Sequence, residues 1–548
     1  MNSKCWRLLY LILLWPLVAC SDGTAVPTIW PTAIVPVLAT AVPSFPVPLS
    51  EPTPLPPTVV SSQPVFITAA PGLPPEIITA AQQIAAQNPA QFQWVDGAAD
   101  VTLTWEAGRP LAQWVYVIAA PFATAPDGVD RLDLTAAWQG AGEWTFVAAE
   151  GEQAAAAVLL GEGNAATAPD GQLVETLWGV RPSLTLLPFD QLTPELKAMR
   201  LDGVSPLSPD FVPESWPLTL AVNVVGEDTA VAQFLTAWNG PVTNRDPAKM
   251  TRVAMTGVTA LVRATAYNME QFGILWPGEE VGPVLRGADI AHISNEVSFA
   301  PDCPYPNPIG GTTFCSRDSY FALIEDVGAD VIELTGNHLN DWGGENALRS
   351  LEMYEAAGMA TFGGGRNLAE AAKPALFEHN GNKIAFVGCN SFGPAFAWAT
   401  EAGPGSRPCD GTMIPQIIQL RDEGYLVIAT LQYEEYYQYP PLPQQELDFK
   451  ALAAAGATAV SGSQGHHAQG FAFADGAFIH YGPGNLFFDQ MDMLGTRQTF
   501  VDTYVIYDGR LLSVELWTGL IENYARPRVM TAVEREQALK TLFEASGW

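Results

Sequence analysis

Asn337, His338 and Asp341 fall in one short stretch, Glu333-Leu334-Thr335-Gly336-Asn337-His338-Leu339-Asn340-Asp341. It follows the apolar run Ala329-Asp330-Val331-Ile332 and precedes a helical pattern from Glu345 to Ala357. A strand that delivers an amide oxygen, an imidazole and a carboxylate into one loop sets them around a single point, as an oxyanion-handling or metal site needs. The same residue types also cap an ordinary strand-to-helix turn, with Asn337 and Asp341 bonded to local backbone and His338 packed.

The elements that must position this loop are readable on either side of it. From Arg252 onward, strand-like runs alternate with helical ones, the strands being Val253 to Thr256, Asp330 to Leu334, Lys383 to Val387, Leu426 to Thr430 and Thr458 to Val460. That alternation predicts a layered α/β sandwich whose polar loops gather at strand ends. Glu296, Asn337, His338, Asp341, Glu434, Glu435, His466, His467 and Asn485 are the polar residues so gathered. Of these, Glu434 and Glu435 read as a solvated strand end before a site, and His467, like His480, as packed or backbone-bonded before catalytic. The run Tyr433, Tyr436, Tyr437, Tyr439 with Pro440-Pro441 reads as a stacking platform for sugar or peptide chains, or as a rigid loop covering the sandwich edge.

In chain order, about residues 249 to 490 carry Thr256-Gly257 ending a first strand, Glu296, Gly336-Asn337-His338 with Asp341, Gly462 to His466, and Tyr481 to Asp489 containing Gly484-Asn485. This series resembles the CapA family, the poly-gamma-glutamate capsule proteins, whose domain looks like a calcineurin-type metallophosphoesterase sandwich. The resemblance implies a divalent metal ion (Mn, Zn, Mg or Ca) at Glu296, His338 and His466, or a metal-free acid–base pair of Glu296 and His338 in which the carboxylate orients the imidazole, with His338, Asn337 and Asp341 as the catalytic residues. It implies substrate binding at Gln432, Glu434, Gln464 and Asn485. The chain departs from the family pattern at Val258, Gln432 and Gln464, where metal-type ligands are expected. Valine offers no ligand and glutamine only a neutral carbonyl, so a full two-metal centre is not expected. Two functions follow: a metal-dependent hydrolase of an envelope polymer or phosphoester, or a non-catalytic protein that assembles, anchors or exports an anionic capsule polymer.

Lys4 and Arg7 precede the apolar run Leu8 to Val18, and Leu17-Val18-Ala19-Cys20 looks like a bacterial lipobox. Residues 1–20 are expected to be a lipoprotein signal peptide with Cys20 lipidated, tethering the protein to a membrane outside the cytoplasm. Cys303 with Cys315, and Cys389 with Cys409, lie close in sequence beside Pro/Gly-rich loops, and in an oxidising compartment they read as disulfides. A formal charge of -32, with Lys+Arg 26 against Asp+Glu 58, excludes nucleic acid as an expected partner. Acidic polymers would need a metal or a local basic pocket.

Residues 21–72 are expected to be a Pro/Thr-rich spacer without a core. The rest exceeds one ordinary core, which predicts a smaller domain at 73–245 and a larger one at 246–548. In the smaller domain, the strand pattern Trp114 to Ala120, a helix or turn at Asp133 to Gly140 and a strand at Leu218 to Val224 resemble part of a periplasmic solute-binding protein of the phosphate-binding type.

Overall fold

In the strand Met250–Thr256, successive side chains enter different cores, Val253 and Met255 into one and Ala254 into another. Leu426–Gln432 behaves likewise: Ile428 joins the core of Val253, while Val427 and Ala429 turn to a third. Side chains alternate across a strand, so apolar residues on both faces require a covering layer on each side. The computed structural model, which describes residues 63–169 and 171–548, supplies those layers as two facing sheets with helices outside each.

One sheet runs Ala360–Phe362, Val331–Glu333, Ile290–Asn295, Met250–Thr256, Gln498–Tyr507, Arg510–Glu522, Arg526–Val529, with the first four strands parallel. The other runs Ala375–His379, Asn382–Asn390, Leu426–Gln432, Ala459–Ser463, Ala477–His480, Phe471–Ala474. Helices Arg263–Phe272 and Gly344–Ala356 cover the first sheet through Met269, Leu351 and Tyr354. Helices Met413–Asp422 and Pro443–Ala454 cover the second through Ile417, Leu420 and Phe449. This is the layered α/β sandwich the alternation predicts. Between the sheets lie Phe362, Phe386, Phe478, Phe500 and Tyr504.

The first half builds a mixed sheet around Arg109–Pro121, which pairs antiparallel with both Thr219–Gly226 and Ser183–Pro188. Helix Arg131–Trp138 starts where Asp130 caps it, its side chain accepting from the Asp133 N–H at 2.8 Å. The end of the expected spacer is corrected: Val65–Ala69 is a strand, paired parallel with Phe92–Trp94 and Val101–Thr104, and Ile67 is fully buried. After Pro64 the run Val-Phe-Ile-Thr is β-branched and apolar enough to bury a face, which the Pro-rich composition before it hides. The signal peptide, Cys20 and the spacer up to residue 62 lie outside the described residues. Among the described residues no helix is long and apolar enough to cross a membrane.

Val505, Tyr507 and Leu512 of the sandwich pack into the core of the first half, and Phe122 of the first half packs edge-on against Phe471, Phe473 and Phe478. Cys303 is bonded to Cys315 and Cys389 to Cys409, the two pairings expected.

Burial beside Tyr116 pushes the Glu152 carboxyl up from its ordinary 4.5 to about 7, with Glu76 and Asp190 adding like charge. A folded state that holds a proton the unfolded chain releases loses stability as pH rises. Glu152 therefore contributes fully below about pH 4.5, and that contribution is lost as pH rises through about 7. Denaturant midpoints measured from pH 4 to 8 should show this fall in the native protein and a flatter profile in Glu152→Gln.

Candidate functional site

The site forms where the carboxyl ends of Ile290–Asn295 and Val331–Glu333 in one sheet meet those of Leu426–Gln432 and Ala459–Ser463 in the other. A hydrogen bond of 3.1 Å between the Ser294 and Ser463 hydroxyls joins the two sheets there. Val297 and His338 form a parallel bridge, which lays the Glu296 and Asn337 segments side by side. Gly336 permits this approach, because a Cβ at that position would stand 2.5 Å from the Glu296 Cα. The glycine of the Gly-Asn-His loop is thus required by the chain that carries the glutamate.

His338 is held by Asp341, whose Oδ2 lies 2.7 Å from the ring Nδ1 and also accepts the Phe314 N–H at 2.9 Å. A carboxylate only accepts, so Nδ1 carries the proton and Nε2 is the free position of the neutral ring. His338 is 18% exposed, against 3% for His466. The His466 Nδ1 stands 2.7 Å from the Asn485 Oδ1, and the Asn485 amide donates to the carbonyls of His466 and Thr496 at 3.1 and 3.0 Å. Asn485 therefore orients His466 and is fully buried. Burial holds the His466 imidazole below its ordinary value, against the opposing pull of Asn485 and Glu435.

Glu296 is 1% exposed, and its Oε1 has no hydrogen-bond partner. Burial pushes its carboxyl well above the usual range, and the charges of Glu435, Glu333 and Asp341 add to the effect. Gln432 donates to the Gln464 Oε1, and Gln464 Nε2 donates to the Glu435 Oε1 at 3.2 Å. Glu435 also accepts the Tyr437 hydroxyl at 2.7 Å and lies 3.9 Å from the His466 Nε2. Asn337, Gln432, Gln464, Glu434 and Glu435 surround a cavity of about 130 Å³.

Beside it opens a cleft of about 520 Å³ lined by Arg263, Ile309, Tyr437, Asp489, Met493 and Tyr524. Arg263 is paired with Asp489 and lies 5.0 and 4.9 Å from the ring centres of Phe314 and Phe488. These two phenylalanines in turn contact His338 and His466, at 4.3 and 4.9 Å between ring centres. Among the described residues, nine non-glycine positions have positive φ, and five of them are Asp or Asn. Of the other four, Arg263 and Tyr524 line the cleft, Gln464 lines the cavity, and His466 is buried with its Nε2 3.9 Å from the Glu435 carboxylate. Left-handed backbone at such residues costs on the order of 1–3 kcal/mol each and persists where surrounding structure enforces it, which is common at functional sites.

Sequence reasoning missed Arg263, Phe314, Phe488 and the bridging role of Glu435. Glu434, exposed on the same turn, lines the cavity without a side-chain bond. Of the tyrosine run, Tyr437 reaches the cleft, whereas Tyr433 is buried with its hydroxyl on Asp448 and Tyr439 packs on His467. His467 bonds the Ala468 carbonyl at 2.7 Å and His480 bonds Asp502 at 2.6 Å.

The metal set implied by resemblance does not fit these contacts. Among the described residues, no three His, Cys, Asp or Glu side chains are grouped so as to hold an ion. His338 is held by Asp341 and His466 by Asn485, while Glu296 is buried with no partner for its Oε1.

The fold and site define an α/β sandwich protein with an acidic, histidine-bearing pocket at its strand ends. Residues 252–490 match the family model described as bacterial capsule synthesis protein PGA_cap, so the family resemblance carried by the motifs holds over that segment. The chain is 25% identical over 309 residues to the capsule biosynthesis protein CapA of Bacillus anthracis, covering 55% of this chain and 75% of that one. Among solved structures, NAD nucleotidase of Haemophilus influenzae is 11% identical with a TM-score of 0.32, covering 54% of this chain and 56% of that one. An ABC-type phosphate transport receptor from Vibrio cholerae is 12% identical with a TM-score of 0.28, covering 32% of this chain and 93% of that one. At such TM-scores these two likenesses carry no inference about ligand or activity.

Proposed function

We propose that this protein handles an anionic capsule polymer of the poly-gamma-glutamate kind outside the cytoplasm, tethered to the membrane by lipid on Cys20. Its sandwich site performs proton transfer on the polymer through His338. The match of residues 252–490 to the capsule synthesis family supports the polymer class. The observation that carries the chemistry is the His338–Asp341 pair at 2.7 Å, in which a buried carboxylate fixes the tautomer of a partly exposed imidazole. Asp341 orients the ring, Asn337 offers an amide beside it, and Phe314 and Phe488 fix its surroundings.

A second reading, a polymer-binding surface without turnover, is favoured by one specific observation. Gln432 gives its amide N–H to Gln464, and Gln464 gives its own to the Glu435 carboxylate, so neutral amides stand where the family resemblance expects metal-type ligands. Incubating the full chain with polyglutamate and following both binding and chain length separates the two. Shortening or transfer that His338→Ala abolishes supports catalysis, binding without change in length supports the surface reading, and neither binding nor turnover would sink both.

A further inference from the structure

We propose that the cleft between Arg263, Ile309, Tyr437, Met493 and Tyr524 is a binding site for a neutral sugar chain. Its volume of about 520 Å³ is that of an ordinary ligand site, and Arg263 on its wall stands one phenyl ring, that of Phe314, from His338. The walls carry apolar and aromatic surface that water reaches: Ile309 is 93% exposed, Tyr524 46% and Met493 42%. Ile309 stands on the loop closed by the Cys303–Cys315 disulfide. Tyr524 stands on the turn between Arg510–Glu522 and Arg526–Val529, where the Thr265 hydroxyl donates to its carbonyl at 2.7 Å. Both walls are therefore fixed to the rest of the fold before any ligand arrives.

Arg263 gives its Nε and Nη2 to Asp489, and among the described residues its Nη1 meets no acceptor although it is not sealed from solvent. The Asp489 pair, the two phenyl rings at 5.0 and 4.9 Å and a left-handed backbone hold this guanidinium in place. Gln490 donates its Nε2 to the Tyr437 hydroxyl at 3.2 Å and keeps its Oε1 without a partner. The cleft thus offers a spare donor on Arg263 and spare acceptors on Gln490 and the exposed Asp492, set between apolar faces. A sugar ring carries the matching pattern, a C–H face that packs on tyrosine and a rim of hydroxyls that both donate and accept. A chain of carboxylates only accepts, and would leave Gln490 and Asp492 without donors. Arg263 is the one cation lining the cleft and Asp489 matches its charge, so Asp492 leaves the walls net negative. That field, like the charge of -32 on the whole chain, repels a polyanion and is indifferent to an uncharged glycan.

The sugar cleft does not depend on the capsule reading. Taken together with it, a sugar chain lies beside the anionic polymer. The test titrates the full chain with chitohexaose, cellohexaose or a glutamate hexamer by calorimetry, at low and at physiological salt. One neutral hexasaccharide per chain is expected, with an affinity unmoved by salt and weakened about tenfold by Tyr524→Asn, the loss of one aromatic face. Asparagine tolerates the left-handed φ of 62° at this position, so the ring is removed and the turn is kept. Met493→Ala should weaken the sugar severalfold, and it still decides should Tyr524→Asn fail to fold. Any binding of the glutamate hexamer should be unmoved by Tyr524→Asn. Absence of binding by both hexasaccharides, sugar affinity unmoved by these variants, or glutamate-hexamer binding lost in Tyr524→Asn would overturn the proposal. Polyglutamate shortened by a chain that binds no sugar would count against the cleft alone, and sugar bound without any polymer against the capsule reading alone.

Discussion

His338→Ala lowers polymer turnover by about 10²- to 10⁴-fold, the usual contribution of a positioned acid–base group, while the fold and polymer binding persist. The fold should persist because His338 is the partly exposed member of its pair, and its removal leaves Asp341 still accepting the Phe314 N–H at 2.9 Å. Asp341→Asn should cost less than His338→Ala, since an asparagine still reaches Nδ1 but no longer dictates which ring nitrogen carries the proton. Size-resolved product analysis with circular dichroism on the same samples checks both. Equal turnover in native protein and His338→Ala would remove His338 from the chemistry.

Asp502→Ala destabilises the protein by about 1–3 kcal/mol, the cost of leaving a buried donor without its acceptor. Asp502 lies on Gln498–Tyr507 and His480 on Ala477–His480, so their 2.6 Å contact ties the facing sheets together, with both side chains fully buried. Alanine leaves the imidazole without its acceptor in an apolar layer beside Phe471 and Phe500. Replacing both partners with apolar residues of similar volume, His480→Phe with Asp502→Leu, should recover most of the loss, because neither polar group is then buried alone. Chemical denaturation of the two variants measures it. A double variant as unstable as Asp502→Ala would show that the loss came from packing.

The sandwich was legible because its strands are apolar and regularly spaced. The predicted helix Glu345 to Ala357 is Gly344–Ala356, and the run Lys383 to Val387 lies inside Asn382–Asn390. The loop carrying Asn337, His338 and Asp341 was legible for the same reason, since all three sit on one turn after one strand. The bridge from Gln432 through Gln464 to Glu435 was not, because its members are 29 and 32 residues apart and meet only through a left-handed turn at Gln464. Nor was the pair Arg263–Asp489, separated by 226 residues with Arg263 also left-handed. Val65–Ala69 was obscured by composition: a short strand directly after a proline-rich stretch has little periodicity of its own.

The most direct measurement is the amount and chain length of capsule polymer on cells from which this protein has been removed, compared with cells given back the native chain or His338→Ala. Removal should deplete or alter the surface polymer, the native chain should restore it, and His338→Ala should not. Polymer unchanged in amount and length after removal would contradict a capsule role.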